Sequence, residues 1–157
     1  MEINDKAPDF TSLDQDGNKI ALKDFKGKWV VLYFYPRADT PGCTIEACSF
    51  RDSFKRVERT GAAVLGVSPD TPKAQKKFVD KYDLPFTLVA DADKNICNAY
   101  GVIQEKNMYG KKVMGMARTT FIIGPAVRAV PIPPDRSNVT SSAAPRSAAG
   151  RRTSCRA

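Results

Sequence analysis

The sequence contains no histidine among its 157 residues, and that absence removes whole classes of chemistry. A Cys–His nucleophilic pair, a histidine-ligated zinc or copper site and a histidine general base all need the missing imidazole. Long apolar runs are also missing: none approaches the roughly 18 residues that a membrane-spanning helix needs. The first residues, "MEINDKAPDF", lack both a basic stretch and an apolar core, so no secretory signal is expected. A cytoplasmic, reducing setting follows as an expectation, in which four cysteines are thiols with roles rather than a disulfide scaffold. No Cys-x-x-Cys pair occurs, which weighs against a general thiol–disulfide oxidoreductase. The spacing Cys43-x4-Cys48 would fit half of a zinc site, but no second Cys or His pair completes it, so neither metal nor cofactor is expected.

What is present is a net charge of +8, unevenly placed. Residues 1–124 carry only +3 of it, and residues 125–157, with six Arg against Asp135, carry +5. The body shows no basic stripe interleaved with aromatics, which argues against a nucleic-acid partner. With 42% hydrophobic residues, the body is long enough for one domain with a proper core.

Strand and helix patterns alternate along residues 1–124. "DFTSLDQDGNKIALKDF" reads as two short strands about a turn at Asp16-Gly17. "WVVLYFY", Trp29 to Tyr35, is an apolar run expected to form a central strand covered on both faces. Ala47, Phe50, Phe54 and Val57 share one helical face, and Gly61 is placed to end that helix. "AAVLGVSP" and "FTLVAD" read as further strands. Between them Thr71 caps a helix with Pro72 at its first position, running through Tyr82. "KNICNAYG" predicts a short helix closed by Gly101. "NMYGKKVMGMARTTFIIG" predicts a hairpin whose second arm, Ala117 to Ile123, enters the sheet. Such alternation implies an α/β fold with helices on both faces of a mixed sheet. From Pro125 onward the composition turns to Pro, Ala, Ser and Arg without a single Lys or aromatic residue. We therefore divide the chain into a domain at 1–124 and an atypical tail at 125–157, read as disordered or as the product of a reading-frame shift.

The chemistry concentrates in "YPRADTPGCTIEACSFRD". After the strand, Asp39 or Thr40 can cap a helix with Pro41 near its first position. Cys43 then lies in the first turn, where free backbone N–H groups and the helix dipole favour an anion. The Thr40 hydroxyl can bond a thiolate or a bound oxygen, and Gly42 leaves room for a ligand to approach the backbone. The plain alternative for Cys43 is a small buried hydrophobe.

This stretch resembles the active-site segment of the peroxiredoxins, Pro-x-x-x-Thr-x-x-Cys, here Pro36, Thr40 and Cys43. Together with "GVSPD", "KYDLPFTLVAD" and "MYGKKVMGMARTTFII" it is similar to the Q-type branch, also called bacterioferritin comigratory proteins, over roughly residues 3–123. The resemblance implies a thioredoxin-like fold and thiol-dependent reduction of hydrogen peroxide or organic hydroperoxides. Cys43 would attack the peroxide, Thr40 would align it and Pro36 would shield the sulfur. Arg118 would stabilise the thiolate and the polarising O–O bond, and Glu46 would orient Arg118. Arg51 would add positive field or remain a solvated helix-surface residue. Cys48 would resolve the Cys43 sulfenic acid, and thioredoxin, or glutaredoxin, would recycle the enzyme, a monomer or else a dimer. The alternative for Cys48 is a core residue in a single-cysteine enzyme. Five residues along a helix place Cα atoms roughly 8.7 Å apart, beyond the ~7 Å that a disulfide tolerates. A Cys43–Cys48 bond would thus need the first turns to unwind. Cys97 reads as structural and Cys155 as incidental. The family pattern breaks at Gly124, after which its C-terminal strand and helix are expected to be replaced by the tail. A sheet left uncovered there would favour a non-catalytic holdase or binding module.

Overall fold

The structure, a computed structural model, describes residues 5–132; Cys155 and the stretch 133–157 lie outside the described residues. Its strands are β1 (Asp5–Lys6), β2 (Thr11–Asp14), β3 (Lys19–Ala21), β4 (Val30–Phe34), β5 (Ala63–Ser68), β6 (Thr87–Ala90), β7 (Ile103–Met108), β8 (Lys111–Met116), β9 (Thr119–Ile123) and β10 (Arg128–Ile132). The helices are α1 (Pro41–Arg59), α2 (Pro72–Tyr82) and α3 (Asn95–Ala99). Eight strands make one sheet in the order β1-β10-β9-β4-β5-β6-β2-β3. The β4–β5–β6 centre is parallel, and β9 runs antiparallel to β4.

Alternation along β4 divides the interior, because successive side chains leave a strand on opposite faces. Val30, Leu32 and Phe34 enter a core with Phe10, Leu22, Ile96, Tyr100 and Phe121. Tyr33 and Tyr35 enter the other core, beneath α1 and α2, with Cys43, Ala47, Cys48, Phe78 and Tyr82. The mixed sheet with helices on both faces is thus the thioredoxin-like arrangement expected from sequence. At α2 the cap is as predicted: the Thr71 hydroxyl accepts from the Ala74 N–H, and Pro72 is the first helical residue.

Three expectations need correction. The hairpin pairs β7 with β8 about Tyr109 and Gly110 and forms a separate two-stranded sheet, while Thr119–Ile123 is a strand of its own in the main sheet. Most of β7 and β8 is exposed, so its residues carry no alternating apolar signal. The main sheet also continues past residue 124: β10 pairs with both β9 and β1. Its local sequence, "RAVPI", holds a proline and an arginine, and only the distant partners reveal it as a strand. Finally, the Trp29 end of the β4 run is not covered: Trp29 is 51% exposed and Val31 half-buried.

Candidate active site

The loop after β4 delivers Cys43 to the start of α1 through a chain of polar contacts. The backbone N–H of Ala38 donates to Asp70 at 2.7 Å, and the same carboxylate oxygen accepts from Ser68 Oγ at 2.7 Å. Asp39 takes the left-handed conformation at φ 57° and turns its carboxylate outward to Lys81 Nζ (2.8 and 2.9 Å) and the Tyr82 hydroxyl (2.8 Å). Thr40 is the N-cap by backbone geometry and Pro41 opens the helix, but neither Asp39 nor Thr40 caps it with a side chain.

Cys43 is a free thiol, 1% exposed, in the first turn of α1. Arg118, which stands between β8 and β9, donates from Nη2 to Cys43 Sγ at 3.2 Å and from Nη1 to Glu46 Oε2 at 3.0 Å. One guanidinium thereby joins the sulfur to a carboxylate three residues further along α1. Burial is the largest influence on Glu46 and raises its pKa above the ordinary carboxylate value; the opposing pull of Arg118 is smaller. The pair therefore positions the guanidinium more than it stabilises the fold.

Gly42 has a different use from the one expected. A Cβ built there would lie 2.7 Å from Arg118 Nη2, so the space that glycine leaves is taken by the arginine. The Thr40 hydroxyl donates to the Arg37 carbonyl at 3.1 Å and keeps its acceptor lone pairs. Pro36 is half-buried at the end of the strand run. Arg51 is turned to the end of α2, where Nη1 donates to the Tyr82 carbonyl at 2.8 Å. Cys48 is buried on the α1 face that packs on the sheet, 4% exposed. Cys97 lies in the opposite core, and burial, then Asp91, pushes its thiol well above the ordinary range.

Sequence reasoning missed Asp70, Lys81 and Tyr82. Their partners are 32 to 43 residues away along the chain, so no local pattern marks them. Asp39 did carry a signal, as a short polar residue able to adopt the left-handed conformation.

The chain is similar to known proteins over most of its length. The model of the AhpC/TSA family matches residues 3–130. A relative from Coxiella burnetii is 51% identical over 123 residues, covering 78% of this chain and 82% of its own length. Peroxiredoxin Bcp of Bacillus subtilis is 45% identical, covering 78% of each chain. A solved structure of the Xanthomonas campestris bacterioferritin comigratory protein, described for its alkyl peroxide reduction activity, superposes with a TM-score of 0.76. It is 38% identical and covers 83% of each chain. The chain belongs to the AhpC/TSA family, as a peroxiredoxin of the Q-type or bacterioferritin comigratory branch.

Proposed function

We propose that this chain reduces hydrogen peroxide and organic hydroperoxides with Cys43 as the attacking thiolate, Cys48 as the resolving thiol and thioredoxin as the source of electrons. The observation that carries the reading is the Arg118 guanidinium 3.2 Å from Cys43 Sγ, held on its other side by Glu46. A fixed cation at that distance can stabilise negative charge as it moves from the sulfur on to the peroxide oxygens. It does so without the histidine that this sequence lacks.

In the first step the sulfur of Cys43 forms a bond to the terminal peroxide oxygen while the O–O bond breaks. The remaining oxygen leaves as water or an alcohol after taking a proton, and Cys43 becomes a sulfenic acid. The Thr40 hydroxyl, with its lone pairs open, can accept from the peroxide O–H and set its direction. Pro36 limits water at the sulfur. Cys48 then attacks the sulfenic sulfur, a disulfide forms and water departs; two electrons and two protons from a reduced thioredoxin restore both thiols. Cys43 is almost fully buried, which favours a small peroxide or the narrow end of a larger one.

The test is a coupled assay of NADPH oxidation with peroxide, thioredoxin and thioredoxin reductase. The intact chain should turn over, Cys43→Ser should be silent, and Cys48→Ser should lose turnover with thioredoxin while still reacting once with peroxide. Turnover that survives Cys43→Ser would overturn the assignment. Steady turnover by Cys48→Ser would overturn the role of Cys48 alone.

A further inference from the structure

One peptide unit in the segment between β4 and α1, that joining Arg37 to Ala38, is held from both sides. Its N–H, on Ala38, donates to Asp70 Oδ2 at 2.7 Å. Its carbonyl, on Arg37, accepts from the Thr40 hydroxyl at 3.1 Å. No peptide bond among the described residues is cis, so the two groups leave this planar unit in opposite directions. Asp70 thereby fixes the plane on one side, and the plane fixes the Thr40 hydrogen on the other. With that hydrogen committed to Arg37, the lone pairs of Thr40 Oγ1 take a set direction as acceptors. An acceptor on the N–H side also polarises the peptide, which makes the Arg37 carbonyl the stronger partner for Thr40.

Asp70 is itself anchored away from the loop, just past the end of β5. The oxygen that meets Ala38 also accepts from Ser68 Oγ at 2.7 Å. Ser68 Oγ in turn accepts from Gln75 Nε2 of α2 at 2.9 Å, and the same amide donates to the Val89 carbonyl of β6 at 3.1 Å. Gln75 Oε1 accepts from the Tyr35 hydroxyl, at the end of the β4 run. Ser68, Gln75 and Tyr35 are buried, and a buried network paired in this way holds its surroundings rigid. Elements far apart in sequence thus converge on one carboxylate oxygen, and that oxygen holds the loop.

We propose that Asp70 is a positioning residue for peroxide reduction: through the Arg37–Ala38 peptide it directs the Thr40 hydroxyl, and so aligns the peroxide at Cys43. The inference rests on the reading of Thr40 as the group that accepts from the peroxide O–H. Asp70 touches neither peroxide nor sulfur in this role. Its effect passes through Thr40 and vanishes when the Thr40 hydroxyl is absent.

The experiment measures the stopped-flow reaction of Cys43 with hydrogen peroxide in the full chain. The variants are Asp70→Ala, Asp70→Asn, Thr40→Val and the double variant Asp70→Ala/Thr40→Val. Asp70→Ala should slow the reaction about tenfold or more, as displaced alignment does. Asp70→Asn keeps an acceptor oxygen for Ala38 and should recover most of the rate. The double variant should stay within about twofold of Thr40→Val, because coupled residues do not add. Alkylation of Cys43 by iodoacetamide, which needs the sulfur but no aligned O–O bond, should keep the parent rate in Asp70→Ala. Asp70→Leu, which fills similar space without an acceptor, takes its place should Asp70→Ala not fold. Parent-like peroxide rates in Asp70→Ala or Asp70→Leu would overturn the inference, as would losses that add in the double variant. Alkylation slowed as much as the peroxide reaction would also overturn it, since the effect would then lie on the sulfur. A parent rate in Thr40→Val would overturn the reading of Thr40 and the inference with it.

Discussion

At the scale of the residue, Gly42 links backbone space to reactivity. Its missing Cβ is what lets the Arg118 guanidinium lie across the helix start, 2.7 Å from where that carbon would be. Helix propensity alone favours alanine there by up to about 1 kcal/mol, so Gly42→Ala should not weaken the fold. It should displace the guanidinium from the sulfur and lower the rate constant for peroxide by at least about tenfold, since a single misplaced charge donor can cost 10²–10³. Stopped-flow peroxide reaction together with thermal melting checks both halves, and unchanged reactivity would count against Arg118. Cys43 and Thr40 were marked by the local pattern of a helix start after a strand, and Glu46 and Arg118 by the resemblance to the peroxiredoxins. The sequence misled about Gly42, because the atom that fills that space comes from residue 118 and only the folded chain brings it there.

At the scale of the element, α1 carries both Cys43 and Cys48, and the proposed resolution step requires it to give way. Cys43 and Cys48 lie on one unbroken helix, Pro41–Arg59, whose geometry keeps their Cα atoms too far apart for a disulfide. Oxidation with one equivalent of peroxide should therefore lower far-ultraviolet helical ellipticity by about two turns' worth, and reduction should restore it. An unchanged spectrum in a verified Cys43–Cys48 disulfide would contradict this. The loop before α1 adds a pH term. The Lys81 hydrogen bond first, then that of Tyr82, holds the Asp39 carboxyl below its ordinary pKa. The stabilisation is thus complete above the ordinary value of about 3.9 and fades as the pH falls through the lowered one. Asp39→Asn should be less stable than the parent at neutral pH, with the gap closing on acidification; thermal melts across that range measure it. Helices were legible where local rules act, as at Thr71-Pro72, whose cap forms as written. The β7–β8 hairpin was misread because its exposed residues follow no apolar period.

At the scale of the whole molecule, a mixed sheet with helices on both faces and a central strand after Trp29 followed from alternating strand and helix patterns, whereas the strand past residue 124 did not. β10 is held by residues 5–6 and 120–123, contacts that no local reading of "RAVPI" contains. Over β4 and β9, near the end of α1, lies a groove of about 460 Å³ lined by Trp29, Val31, Val57 and Ile122 with Arg56, Thr60 and Ala62. Trp29 is the sole tryptophan and half exposed. Exposed apolar surface of this kind favours self-association, so Trp29→Lys should raise the concentration at which the protein stays dispersed in light scattering and leave peroxide turnover unchanged. A loss of turnover with no gain in dispersion would show the face to have another use.

Under the proposed function the molecule is a reagent in which one sulfur, Cys43, takes one oxygen from one peroxide. The most direct measurement is the intact mass of Cys48→Ser after one equivalent of hydrogen peroxide, with a sulfenic-acid trap and fragment mapping. A single trapped adduct on Cys43, absent when Cys43 is also changed to serine, is the expected result. Peroxide consumed with the adduct on Cys97, or with none on Cys43, would contradict it.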